Sequence, residues 1–148
     1  MTNRDKPAEP RPSDLLLDAT SKRRTCPIWL VRDGREAETL SALTPEQRAW
    51  VKAVGFKASA RKLALLPAPD SSLAGVLFGV GALPPRERDP APILVGVLPT
   101  LLPPGAYHLE TDLGADAELA ATAWGLGAYR YRRYKSGDAD PLPSLKLS

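Results

Sequence analysis

The chain has 148 residues, about the length of one average domain. With 43% hydrophobic and 25% charged residues it has the composition of a globular protein, which excludes a fully disordered or collagen-like chain. One cysteine and one histidine exclude a disulfide framework and a Cys/His zinc site. No apolar run is long enough to span a membrane, and the first residues lack the apolar core of a secretory signal. We therefore expect a cytoplasmic protein without a membrane partner.

The net charge is small, with 20 lysines and arginines against 17 acidic residues, and it specifies no class of partner. The basic residues are clustered, however. One cluster is formed by residues 22–24, and the second by Arg130, Arg132, Arg133 and Lys135.

The sequence predicts a flexible N-terminal arm over residues 1–25. Its first half combines three prolines with charges and few large apolar groups, so it cannot bury enough surface to offset the entropy of ordering. The leucines at 15–17 are the place where we expect this arm to dock onto the body. The following run CPIWLV, starting at Cys26, is rich in β-branched and aromatic residues and predicts the first strand.

The segment LTPEQRAWVKAVG at 43–55 predicts a helix. Thr44 is a favourable N-cap, and Gln47 stands at the position that completes a capping box. Pro45 suits the first helical position, and Gly55 supplies the left-handed residue that ends the helix. Trp50, Val51 and Val54 fall on one side and form the predicted apolar face.

Two strands are predicted to form an antiparallel hairpin. The first covers about residues 63–66 and stops at Pro67. After a turn at residues 70–72, the run LAGVLFGVG predicts a central strand that is buried on both faces.

The rest of the domain is predicted to contain a proline-rich loop at 82–92 and a strand at 106–111. The segment before Gly105 suits either a short helix or a strand, and its prolines favour one or two helical turns. A final helix is expected from about Asp116, which can cap it, to Lys135, with Trp124, Gly127 and Tyr131 packing on the sheet. Residues 26–135 thus form a single α/β domain, a small mixed β-sheet flanked by helices. Residues 136–148 are predicted to be a linker or tail towards a missing catalytic domain.

Few side chains suggest catalysis. His108 is the only histidine and is interpreted as a surface or packing residue, because metal binding needs several ligands. Cys26 is predicted to be a buried, inert thiol, and an enzyme using Cys26 with His108 is the weakest alternative. The carboxylates Asp112, Asp116 and Glu118 suit a helix start without any catalytic role. We predict no catalytic, cofactor-binding or metal-binding residue in this chain.

The run from Tyr129 to Lys135 alternates arginine and tyrosine, as nucleic-acid-binding segments can, with arginines on phosphates and rings stacked on bases. A basic helix end stabilised by the helix dipole explains the same residues. The modest net charge favours this structural interpretation, and a stand-alone module that binds nucleic acid through Arg130, Arg132, Arg133 and Lys135 remains the alternative.

Four segments together resemble the N-terminal domain of the bacterial leucyl (cytosol) aminopeptidases. LTPEQRAWVKAVGFKASARKLALLP is similar to the family's early helix, turn and Leu-rich strand, and SSLAGVLFGVG to the next strand. LPTLLPPGAYHLE and AELAATAWGLGAYRYRRYK resemble the following strand region and the closing helix. The likeness covers roughly residues 27–146.

The resemblance implies a non-catalytic α/β domain that packs against the catalytic domain of a metallo-exopeptidase and takes part in its homo-hexamer. The parent would be cytoplasmic and would release N-terminal residues from peptides with two divalent ions, manganese or zinc. The family's Asn-Thr-Asp-Ala-Glu-Gly-Arg motif is absent here, since Asp116-Ala117-Glu118 is followed by Leu119. The chain alone is therefore expected to be inactive as a peptidase.

Overall fold

The structure is a computed structural model that describes residues 16–17, 24–134 and 143–146. Six strands form one sheet in the order β1-β6-β5-β2-β4-β3. All neighbours in the sheet are parallel except β3 and β4, so the predicted small mixed sheet flanked by helices is confirmed. The strands are β1 (Leu16–Leu17), β2 (Cys26–Arg32), β3 (Leu63–Pro67), β4 (Leu73–Gly81), β5 (Ala106–Leu109) and β6 (Ser144–Lys146).

Helices connect the parallel strands. After β2 come α1 (Glu36–Leu40) and α2 (Pro45–Ala53), and after β4 come α3 (Ala91–Leu94), a 3-10 turn (Val95–Val97) and α4 (Leu98–Leu101). A second 3-10 turn (Gly114–Asp116) leads into the long helix α5 (Ala117–Tyr134). The prolines at 99 and 103 prevent a longer element between β4 and β5, which is why only helical turns form there.

Two hydrophobic clusters lie on opposite faces of the sheet. The first joins β2, β4 and β5 to α3, α4 and α5, with Trp124 fully buried and its ring centroid 6.3 Å from that of Tyr107. The second joins β2, β3 and β4 to α1 and α2 through Val31, Leu77 and Val51. Because successive side chains alternate between faces, β4 is buried on both sides, as its near-continuous apolar run predicts.

Helix α2 has the predicted ends. The Thr44 hydroxyl accepts a hydrogen bond from the Gln47 N–H (3.2 Å), and the Gln47 side chain accepts one from the Thr44 N–H (3.0 Å). Gly55 follows with a φ of +69°. The predicted apolar face is only partly correct: Val51 is buried, but Trp50 and Val54 are 44% and 50% exposed. Both side chains line an open groove between α2 and the edge strand β3, which leaves them about half exposed.

The hairpin prediction is confirmed, with β3 and β4 antiparallel and Ala64 opposite Leu77. In the turn, the Asp70 carboxylate accepts a hydrogen bond from the Ser72 N–H (3.0 Å), and Ser71 has a φ of +68°. A hydrogen bond from the Ser72 hydroxyl, together with the one from the Ser72 N–H, lowers the pKa of Asp70. The following proline-rich loop is anchored by a partly buried ion pair between Arg32 and Asp89.

The prediction that residues 136–148 form only a linker or tail is wrong for Ser144–Lys146. These residues form β6, which lies between β1 and β5, and Leu145 is buried. A strand of three residues is too short to show periodicity, so only the unpaired edge of β5 indicates that a strand belongs here. In the predicted arm, Leu16–Leu17 pair with β6, while residues 1–15 and 18–23 lie outside the described residues.

Candidate functional site

His108 lies on β5 and is hydrogen-bonded at both ring nitrogens. Its Nδ1 is 2.7 Å from the hydroxyl oxygen of Thr25, and its Nε2 is 2.8 Å from a carboxylate oxygen of Glu110. Thr25 directly precedes β2, which pairs with β5 in parallel, so the register brings residues 83 positions apart together. The result is a hydrogen-bonded series of a hydroxyl, an imidazole and a carboxylate group.

A groove of about 860 Å³ adjoins these hydrogen-bonded side chains. Thr25 and His108 line it together with Lys146, which is opposite His108 in the β5–β6 register. Leucines from three strands and small residues from the first turns of α5 complete the lining, among them Leu16, Leu109, Leu145 and Ala121. Its surface therefore combines an apolar lining with a few polar groups, as small-molecule sites do.

Cys26 does not fit a nucleophile. Burial raises the pKa of its thiol to about 11, whereas reactive cysteines have lowered pKa values. Its sulfur is near the carbonyl oxygen of its neighbour Pro27 (3.9 Å), and the His108 nitrogens are bonded to Thr25 and Glu110 instead. Cys26 is thus partly rather than fully buried, and its raised pKa supports the interpretation of an unreactive thiol.

The acidic residues before α5 serve local structure. The Asp112 carboxylate accepts a hydrogen bond from the Gly114 N–H (2.8 Å), which closes the turn in front of the helix. Asp116 lies in the 3-10 turn, with a carboxylate oxygen 4.0 Å from an Arg88 guanidinium nitrogen. In the parts of the chain that the structure covers, no three His, Cys, Asp or Glu side chains form a group that could hold a metal ion. These residues therefore offer no fit to the metal pair that the resemblance implies for the parent.

The predicted basic patch is only partly within the described residues. Arg130 is exposed on α5, and the helix backbone continues through Arg132 and Arg133 to Tyr134. Lys135 lies outside the described residues. The nucleic-acid alternative therefore stays a prediction. In the described segments, no helix has the length and apolar character needed to cross a membrane.

A second groove, of about 490 Å³, lies between α2 and β3. The indole N–H of Trp50 donates a hydrogen bond to the Leu65 carbonyl oxygen (2.9 Å), and this holds the ring against the edge strand. Apolar side chains and two lysines line the groove, namely Trp50, Val54, Phe56, Leu63, Leu65, Lys57 and Lys62.

Sequence reasoning missed both grooves. The α2–β3 groove was missed because Trp50 and Val54 were assigned to the buried face. Thr25 was placed in the flexible arm, and its contact with His108 depends on strand register. One signal was available: Glu110 follows His108 by two residues, so both side chains point to the same face of an extended segment.

Comparisons with known proteins match these elements. A family model described as the M17 aminopeptidase N-terminal domain matches residues 26–146. The cytosol aminopeptidase from Coxiella burnetii is similar in structure, with a TM-score of 0.71, 28% sequence identity, and coverage of 89% of this chain and 28% of that chain. A mutant of tomato leucine aminopeptidase has a TM-score of 0.52 and 14% identity, with coverage of 96% of this chain and 33% of that one. No curated protein matches significantly.

The match is limited to one part of longer enzymes, since the chain spans about a third or less of either solved aminopeptidase. The family model, in contrast, covers nearly all the residues that form the sheet and its helices. The chain belongs to the family of M17 aminopeptidase N-terminal domains.

Proposed function

We propose that this chain is the accessory domain of an M17 aminopeptidase and is non-catalytic in peptide hydrolysis. It would pack against a catalytic domain that holds two divalent ions, manganese or zinc, and releases N-terminal residues from peptides in the cytoplasm. The homo-oligomer would be that of the whole parent aminopeptidase, of which this domain is one part. The observation that carries the proposal is the extent of the match, which covers 89% of this chain but 28% of the Coxiella enzyme.

The α2–β3 groove is the surface that we propose for the catalytic domain. Trp50, Val54 and Leu65 are 44%, 50% and 39% exposed there, and large apolar side chains grouped in one groove are typical of protein interfaces. Lys57 and Lys62 are the charged residues of the lining, so the complementary surface should be acidic and apolar.

The edge of β3 favours docking by side chains over addition of another strand. The Leu65 carbonyl oxygen already accepts the Trp50 indole N–H, and Pro67 has no N–H to donate. Strand edges that are blocked in this way resist pairing with an additional chain. The partner would therefore be a folded surface.

The first experiment measures hydrolysis of a chromogenic leucine amide with added manganese, together with the mass of the purified chain by light scattering. The proposal predicts no turnover by the folded chain alone. It predicts a heavier complex when an M17 catalytic domain encoded in the same genome is added. Metal-dependent turnover that follows the purified chain would contradict the non-catalytic role.

A matched pair of variants tests the groove. Val54→Asp places a charge in the groove, whereas Leu83→Asp changes a side chain of similar exposure (54%) outside it. Burying an unpaired charge is costly, so we expect V54D to weaken the complex at least about tenfold and L83D to leave it unchanged. Equal affinities for both variants would exclude the α2–β3 groove as the contact surface.

A further inference from the structure

The proposed accessory role assigns no function to the hydrogen-bonded residues Thr25, His108 and Glu110. Both hydrogen bonds of His108 are short, at 2.7 Å and 2.8 Å, and they join this β5 side chain to the residue just before β2 and to the residue just after β5. Activated nucleophiles share this arrangement: a hydroxyl within hydrogen-bonding distance of a base, which is itself oriented by a third group. His108 is partly buried, so the imidazole is held in place while remaining accessible from the groove.

Chemistry assigns a role to each nitrogen. A carboxylate can only accept hydrogen bonds, so Glu110 places the imidazole proton on Nε2. The Nδ1 atom then carries the lone pair and accepts the Thr25 O–H. This is the tautomer in which His108 can remove the hydroxyl proton, and Glu110 can stabilise the imidazolium that results.

The surroundings indicate the substrate class. The adjoining groove is lined by Leu16, Leu109 and Leu145, which suit an apolar acyl chain. Lys146 lines the same groove and is in register with His108, so it can supply positive charge near a developing oxyanion.

We propose that Thr25, His108 and Glu110 hydrolyse carboxylic esters with small apolar acyl groups. The Thr25 oxygen attacks the ester carbonyl carbon as its proton passes to His108 Nδ1, and the carbonyl electron pair moves onto the oxygen. Collapse of this intermediate breaks the bond to the alcohol, which takes the proton from His108 and leaves an acyl ester on Thr25. A water molecule, deprotonated by His108, then attacks the acyl carbon. The bond to the Thr25 oxygen breaks, and that oxygen takes the proton back from His108, so the carboxylic acid is released and the hydroxyl is restored.

The test uses p-nitrophenyl butyrate, with p-nitrophenol release followed in the presence of EDTA. We expect turnover above that of free imidazole at the same concentration, and mass spectrometry of a quenched reaction should find one butyryl group on Thr25. Turnover that disappears with EDTA, or turnover with the acyl group on another residue, would overturn the proposal. So would the absence of any turnover above imidazole. None of these results bears on the accessory role, which is tested by assembly.

Variants distinguish a catalytic role of Thr25, His108 and Glu110 from a purely structural one. We expect Thr25→Ala and His108→Gln to lower the rate about 100-fold and Glu110→Gln about tenfold, while Thr25→Ser keeps the activity and carries the acyl group itself. Thr100→Ala and Glu46→Gln change exposed residues outside the groove and should leave the rate unchanged. A Thr25→Ala protein that is as active as the wild type would overturn the proposal. Loss of activity in Thr25→Ser, despite a native circular dichroism spectrum, would do the same.

Discussion

Gly127 of α5 lies so close to Gly96 of the first 3-10 turn that a β-carbon at position 127 would overlap the Gly96 carbonyl oxygen. The approach is reciprocal, since a β-carbon at Gly96 would be 2.6 Å from the Ala123 carbonyl oxygen. At this point the two backbones pack directly on each other. The contact brings Trp124 down onto the sheet, where its ring is fully buried.

This contact predicts opposite effects for two glycines in one helix. Gly127→Ala should destabilise the protein by about 1–3 kcal/mol, because backbone atoms must move to admit the methyl group. At Gly125 an added β-carbon meets nothing within 4 Å, so Gly125→Ala should stabilise the protein by about 0.5–1 kcal/mol through helix propensity. Urea unfolding of both variants measures the difference. Equal changes in the free energy of unfolding would contradict the close packing.

The capping box of α2 makes a measurable contribution to stability. Thr44→Ala removes the acceptor for the Gln47 N–H and should lower the free energy of unfolding by about 1 kcal/mol. Lys52→Ala, at an exposed position of the same helix, should change it by less than about 0.5 kcal/mol. Thermal denaturation followed by circular dichroism compares the two, and equal stability of T44A and the wild type would exclude the cap as a contributor.

Cys26 should react slowly with alkylating agents near neutral pH. The thiolate is the reactive form, and burial raises the pKa of this thiol to about 11, so the thiolate fraction is small. We expect iodoacetamide to label Cys26 about 100-fold more slowly than an ordinary thiol of pKa ~8.5. The rate should increase with pH up to the raised pKa. Fast labelling of the folded protein at pH 7 would instead support an enzyme based on Cys26.

Whether the basic end of α5 binds nucleic acid can be tested by the salt dependence of the binding affinity. The structural interpretation predicts that the chain binds a random duplex more weakly than a Kd of about 10⁻⁴ M, the weak end of ordinary non-specific binding. A nucleic-acid module would bind more tightly, with an affinity that falls steeply with salt and is lost in the triple variant Arg130→Ala, Arg132→Ala, Arg133→Ala. Fluorescence anisotropy of wild type and triple variant at several salt concentrations distinguishes the two.

Local patterns predicted most of the elements correctly. The helix at 45–53 could be located because Thr44, Pro45, Gln47 and Gly55 act within a few residues of each other. Strand β4 could be predicted as buried on both faces because an unbroken apolar run has no face suited to water. The family resemblance also depended on motifs that are contiguous in the chain, and the family model confirms it.

The predictions that failed concern residues whose partners are distant in the chain. Ser144–Lys146 become a strand only because β5 offers an unpaired edge, and three residues carry no periodicity of their own. Trp50 and Val54 have helical spacing typical of a buried face, yet whether that face is covered depends on where α2 lies relative to β3. The same holds for Thr25 and His108, which meet through the register of β2 and β5.

The sequence by itself therefore determined the types of most elements, the ends of α2 and the family, because capping, turn chemistry and hydrophobic period are short-range properties of the chain. The tertiary structure decided which residues meet across the sheet and which apolar side chains stay exposed. Register and packing depend on contacts between residues far apart in the sequence, and a one-residue change of register would place His108 on the opposite face from Thr25.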